Sequence, residues 1–272
     1  MAVTVDEGFD AALALTTVGD GRVDAEIAPG WDVRGNPHGG YLLALAAAAM
    51  GCAVPQPDPL TISATYLAPP RAGHAQLFVE VRRLGKRQST AAVRLVQDGI
   101  ERVRATATFG ELSSEAPRLF SDDCRPPAIP APLDCRPPSA LRDAEGEPIA
   151  LHERLSLRFD PRTSWLAGQP SGIPVVDGWL AFADGRPPDS LGLLLFSDGL
   201  PPSLFEKVGR TVGHLPTVQL TTYLFAKPAP GWVQARFRTR VQGGSFIEED
   251  GELWDSAGRL VATARQLALV HN

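Results

Sequence analysis

In the second half of the chain, two polar side chains interrupt otherwise apolar faces. Asp198 follows Leu191, Leu194 and Leu195 at seven, four and three residues, so on a helical period its carboxylate points inward with the leucines. Gln266 shares an alternating face with Leu260, Ala262, Ala264 and Ala268, which is again an inward position. Burying an unpaired carboxylate or amide costs several kcal/mol, so these groups should meet each other, a water or a ligand. Thr217 is a third candidate, but its face also carries Gln219 and Thr221, so alternation alone does not establish that it points inward. In the first half, Asn36-Pro-His-Gly-Gly40 opens an apolar helical stretch. Free N–H groups at such a start stabilise negative charge, and glycine lets a substrate carbonyl approach the backbone.

The elements that must position these residues occur twice. Thr61–Leu67, Gln76–Leu84, Ala91–Gln97 and Arg102–Phe109 recur in the same order as Thr217–Leu224, Trp232–Arg240, Ser245–Trp254 and Arg259–Gln266. Leu77, Val79 and Val81 alternate with Gln76, Glu80 and Arg82, as Val233, Ala235 and Phe237 do with Gln234, Arg236 and Arg238, the pattern of half-buried strands. Asp98-Gly99 is a two-residue hairpin signal, and Asp255–Gly258 fills the corresponding turn. One apolar helix precedes each meander, at Gly40–Met50 and at Leu191–Asp198, the second with Asp189 and Ser190 as capping candidates. Helices apolar on all sides must be surrounded, so each half reads as a strand, a central helix, then four antiparallel strands wrapped around it. Residues 115–150 carry eight prolines and read as an irregular surface crossover.

Matching the two copies exposes an asymmetry. Aligning Pro37 with Pro188 sets Asp198 opposite Ala47, and aligning the Ala-Thr-Ala segments sets Gln266 opposite Phe109. When Tyr66 is matched to Tyr223, Thr217 falls one residue out of step with Thr61. Only the second copy is chemically equipped.

Composition removes several function classes. The 272 residues are 44% hydrophobic and 21% charged, with 26 basic against 31 acidic side chains, the make-up of a soluble globular chain without the basic stripe of a nucleic-acid binder. Cys52, Cys124 and Cys135 form neither a disulfide framework nor a ligand spacing, and His74, His152, His214 and His271 add none, so no metal is expected. No G-x-S-x-G elbow is present. The apolar run from Tyr41 to Val54 is too short to cross a bilayer, and the N-terminus has no signal-peptide pattern, so a cytoplasmic protein without membrane partners is expected.

The duplicated arrangement resembles the tandem, or double, hotdog fold of acyl-CoA thioesterase II and its relatives. The resemblance rests on Asn36-Pro-His-Gly-Gly-Tyr-Leu-Leu-Ala44, Pro69-Pro-Arg-Ala-Gly73 and Leu260–Gln266, in order, across both copies. It implies an α+β chain with an N-terminal hotdog repeat at 1–112, a proline-rich linker at 113–150 and a C-terminal repeat at 151–272. In that family Asp, Thr and Gln at matching positions orient a water for attack on the thioester. Carried over, Asp198, Thr217 and Gln266 form that group here, with the carboxylate accepting a proton as the water attacks. By analogy with single-hotdog thioesterases, Gly39 or Gly40 polarises the thioester in a substrate-binding stretch that includes Asn36 and His38. The alternative is that these glycines only admit close helix packing and that His38 is structural.

The resemblance therefore implies hydrolysis of acyl-CoA to a free acid and coenzyme A, without a cofactor. Two further readings stand beside it. Gln219-Leu-Thr-Thr and Gly243–Asp250 depart from the family's strand sequences, which keeps a non-catalytic acyl-CoA binding protein as an alternative. A hotdog hydratase or dehydratase would need an Asp-and-His pair, and neither His38 nor His214 is spaced to join Asp198 on one element. Open sheet edges leave room for a homodimer.

Overall fold

In the first half the strands are β1 (Leu15–Gly19) and, from alternating sequence, β2 (Arg22–Ile27), β5 (Asp58–Tyr66), β6 (Gly73–Arg83), β7 (Ser89–Gln97) and β8 (Ile100–Gly110). A short helix, α1 (Phe9–Ala12), precedes them. A two-residue ladder, β3 (Asp32–Val33) with β4 (Asn36–Pro37), leads into helix α2 (Gly39–Gly51). The second half repeats the plan. Helix α3 (Leu151–Arg154) leads into β9 (Leu155–Phe159) and β10 (Val175–Phe182), which are followed by α4 (Ser190–Phe196) and α5 (Phe205–Val208). Strands β11 (Thr217–Leu224), β12 (Val233–Gly243), β13 (Phe246–Trp254) and β14 (Leu260–Leu269) complete it.

These elements come from a computed structural model that describes residues 8–137, 149–209 and 215–270. His214, His271, the extreme N-terminus and residues 138–148 of the proline-rich crossover lie outside the described residues.

Twelve strands make one antiparallel sheet in the order β1, β2, β6, β7, β8, β5, β11, β14, β13, β12, β10, β9. The order is symmetric about the β5–β11 junction, where Leu220 pairs with Ala64 and Thr222 with Ile62. Each half of the sheet curls around its own helix. In α2 every residue from Gly40 to Ala47 is buried, as is Leu193–Phe196 of α4, because neither helix has a polar face to turn to water. This is the double hotdog expected from the sequence.

Asp189 caps α4 by accepting the Gly192 N–H at 2.7 Å. The helix ends at Phe196 rather than at Asp198, with Ser197 as its C-cap and the Gly199-Leu200-Pro201-Pro202 segment turning the chain away. Two strands, not one, precede each helix. The hairpin between β1 and β2 turns on Asp20-Gly21, both left-handed at φ 52° and 72°, just as β7 and β8 turn on Asp98-Gly99 at 55° and 74°. Val81, expected on the inward face of β6, is exposed, next to the point where the pairing with β7 shifts register.

Close helix contact joins the halves. A Cβ on Gly40 would lie 2.5 Å from the Leu195 carbonyl oxygen of α4, so only glycine permits α2 and α4 to cross at this distance. Phe9 packs between Trp31 and Phe182 in tilted contacts, with ring centroids 5.3 and 5.0 Å away, and adds an aromatic bridge between the halves. The described part of the crossover straps the outer face of the second half. Carbonyls of Cys124 and Pro130 accept the indole N–H groups of Trp254 and Trp179, and Arg136 bridges to Phe159.

Candidate active site

The two helix ends that meet at the crossing, the end of β5, the start of β11 and the last turns of β14 surround a cavity of about 530 Å³. Asn36, His38, Gly39, Asp198, Thr217 and Gln266 all line it. Gly40 does not line it; it is buried behind, in the helix contact.

Asp198 reaches the cavity because the chain leaves α4 at Ser197, which is itself fixed by donating to the Leu194 carbonyl and by pairing with the Thr222 hydroxyl. The Asp198 carboxylate accepts the Gly40 N–H at 3.0 Å through Oδ2. A carboxylate at a helix N-terminus is favourably placed electrostatically, and here the charge of one half caps the helix of the other. This corrects one expectation. The Gly40 N–H is occupied by Asp198 and is not a free donor for a substrate carbonyl, whereas the Gly39 N–H, first in the helix, has no hydrogen-bond partner among the described residues.

His38 caps the same junction. Its Nε2 lies 2.8 Å from the Asp198 carbonyl oxygen and 3.3 Å from Asp198 Oδ2. A carbonyl only accepts, so Nε2 carries the proton. His38 therefore meets Asp198, although the two are not spaced to join on one element. The pairing spans 160 positions and two elements, and spacing along one element had no means of revealing it.

Thr217 is turned inward by a β-bulge. Its register with β14 shifts between Thr217 and Gln219, so Thr217 faces the cavity while Gln219 stays exposed. There the Thr217 hydroxyl donates to Gln266 Oε1 at 2.8 Å. The Gln266 amide donates in turn to Glu249 Oε1 at 2.7 Å.

Four polar residues at this site escaped the reading of the sequence. Tyr66 donates to the Gly39 carbonyl at 2.7 Å, and burial together with the Asp198 charge raises its phenol well above the usual range. Its counterpart in the second copy, Tyr223, faces solvent on the opposite side of the sheet. His152 lines the cavity beside His38, and burial, reinforced by that neighbour, pushes it down to about 4. Glu249 and Ser203 form the buried layer behind Gln266; burial raises the Glu249 carboxyl. Glu249 sits in an acidic run, Glu248-Glu249-Asp250, which on its face looks like a solvated strand.

Comparison with known proteins bears on both halves. Residues 27–110 match the model of the acyl-CoA thioesterase N-terminal domain, and residues 132–270 match that of the acyl-CoA thioesterase C-terminal domain. The chain belongs to the acyl-CoA thioesterase family. This thioesterase-family chain is also 33% identical to an uncharacterised protein of Mycobacterium tuberculosis, over 91% of its own length and 90% of the relative's. Among solved structures, a Thermobifida fusca protein proposed to be a thioesterase II is 26% identical with a TM-score of 0.87, covering 97% of each chain. A protein of unknown function with a hot dog fold from Alicyclobacillus acidocaldarius superposes with a TM-score of 0.84 at 21% identity, over 97% of this chain and 98% of the other, which speaks to the fold.

Proposed function

We propose that the protein hydrolyses an acyl-CoA thioester to a free acid and coenzyme A, with water as the nucleophile. The observation that carries this reading is the meeting of an Asp198 carboxylate and a Thr217–Gln266 pair on one cavity, inside a chain of the acyl-CoA thioesterase family. In the proposed step, a water held between these groups attacks the thioester carbonyl carbon while Asp198 takes one of its protons. The carbonyl oxygen gains charge and is met by the Gly39 N–H at the start of α2. The tetrahedral adduct collapses, the carbon–sulfur bond breaks, and the thiolate of coenzyme A leaves with the proton that Asp198 accepted.

His38 favours a second reading. A protonated Nε2 within 3.3 Å of the Asp198 carboxylate is an arrangement able to shuttle a proton on and off a hydroxyl group, as water addition to or loss from an acyl chain requires. One panel separates the readings. Saturated and 3-hydroxyacyl-CoA thioesters of graded length are incubated with the protein, and both free thiol and enoyl absorbance are followed. Hydrolysis predicts thiol release from the saturated series. Enoyl formation without thiol supports the dehydratase, and binding with neither signal supports a non-catalytic carrier; either result overturns the proposal.

A further inference from the structure

Glu249 lies behind the cavity, 2% exposed, and everything that touches its carboxylate is a donor or can act as one. Its Oε2 accepts from the Ser203 backbone N–H at 2.7 Å, from the Ser203 hydroxyl and from the Thr239 hydroxyl at 3.3 Å. Its Oε1 accepts from Gln266 Nε2. An ionised carboxylate is acceptor-only on both oxygens, so Oε1 presents Gln266 with an acceptor and nothing else. The amide of Gln266 therefore cannot rotate freely. An acceptor fixed on one side demands the NH2 group there and sends the carbonyl oxygen to the other side, toward Thr217 and the cavity.

The consequence runs forward along the chain of bonds. With its oxygen facing Thr217, Gln266 accepts the hydrogen bond of the Thr217 hydroxyl, which leaves lone pairs of that hydroxyl toward the cavity. Asp198 contributes further acceptor oxygens. A water whose two hydrogens are held by acceptors presents its own lone pair outward, the orientation that nucleophilic attack needs. Reversing the amide would turn the same wall into donors and hold the water by its lone pairs instead.

Resting on the thioesterase reading, we infer that Glu249 is a positioning residue: it fixes the orientation of the Gln266 amide and thereby makes the Thr217–Gln266 wall an acceptor surface for the attacking water. Its place in the bonding chain distinguishes it from a residue that merely fills space. Ser203 and Thr239 hold Glu249, Glu249 orients Gln266, and Gln266 orients the Thr217 hydroxyl.

The test is a polarity swap. In Glu249→Gln, the new amide keeps its oxygen toward the Ser203 N–H and turns its NH2 toward Gln266, which must rotate. We expect kcat for acyl-CoA hydrolysis to fall by about 10- to 100-fold, the scale on which loss of an outer-shell supporting partner acts, with KM within about threefold of wild type. Adding Gln266→Glu restores an acceptor on the cavity side at unchanged net charge, because the carboxylate brought to position 266 receives the NH2 brought to position 249 and still accepts from Thr217. The double variant is expected to recover at least about tenfold of the loss relative to the single one. Full kcat in Glu249→Gln, or no recovery in the swap, overturns the inference while leaving thioester hydrolysis itself intact.

A readout independent of turnover covers an inactive protein and a single variant that fails to fold. In 15N-labelled wild type, the Gln266 side-chain amide signal should lie downfield, as expected for a donor to a buried carboxyl, and be protected from exchange. A Gln266 amide that exchanges like a free glutamine overturns the inference. Absence of any thiol release by wild type would instead strike the functional reading, so the two failures are separable.

Discussion

At the scale of single residues, the proposed chemistry turns on Asp198. Asp198→Asn preserves an acceptor for the Gly40 N–H but removes the base, and thiol release is expected to fall by about 100-fold or more. A melting curve run alongside separates this from loss of the helix contact. Unchanged turnover would remove Asp198 from the mechanism. His152 gives a prediction in pH. It stays neutral in the fold down to about 4, whereas an unfolded histidine takes up its proton near 6.5. Between those values the unfolded chain holds the extra proton, so stability declines as the pH falls from about 6.5 to about 4, by about 3 kcal/mol for this group. Urea midpoints at pH 7 and at pH 4.5 should therefore differ less in His152→Gln than in wild type; equal differences would count against a buried neutral His152. Asp198 and Gln266 were legible in the sequence because each breaks an apolar periodicity. His38 with Asp198, and Glu249 with Gln266, were not, because their partners come from other elements and a charge on a strand carries no mark of which side is covered.

At the scale of elements, two local departures from regular structure aim the site. The bulge at the start of β11 turns Thr217 inward against the alternation of its strand, and Gly40 at the start of α2 lets the helices cross at backbone distance. Gly40→Ala forces a methyl group to within 2.5 Å of the Leu195 oxygen, so the helices must separate. Overpacking of this kind costs about 1–3 kcal/mol, which calorimetry would register as a lower melting temperature, and it should weaken turnover as well by drawing Asp198 away. A variant as stable and as active as wild type would refute the close-contact role. Helices and strands were readable from period and turn chemistry, and the Asp98-Gly99 hairpin followed from its dipeptide alone. The same signal at Asp20-Gly21 had less support, because β1 is almost wholly exposed and shows no alternation to flank it. The bulge has no signature in the identities of Thr217, Val218 and Gln219; it arises from pairing with β14.

At the scale of the molecule, duplication was the most legible feature, since the order of segments repeats even where their residues do not. The half-to-half packing was not, because it depends on which face of each helix meets the other. The first half alone would expose the edge of β5 that pairs with β11 and the glycine face of α2 that meets α4. A fragment ending at residue 112 is therefore expected to elute as a self-associated species on size exclusion, and to become soluble and heterodimeric on co-expression with residues 113–272. A monomeric fragment that unfolds cooperatively by itself would contradict this.

The central seam of the sheet also sets a schedule. Ser63 and Thr221 share a hydrogen bond across it although 158 positions separate them. A ribosome adding roughly 5–20 residues per second needs roughly 8–30 s to cover that distance. For that interval the nascent first half carries a finished strand edge with no partner, while its neighbours on the same messenger carry identical ones. Joining two copies in one chain replaces assembly between molecules by a delay within one, and it makes the pace of translation, or a chaperone that shields β5, a determinant of how much active protein a cell obtains.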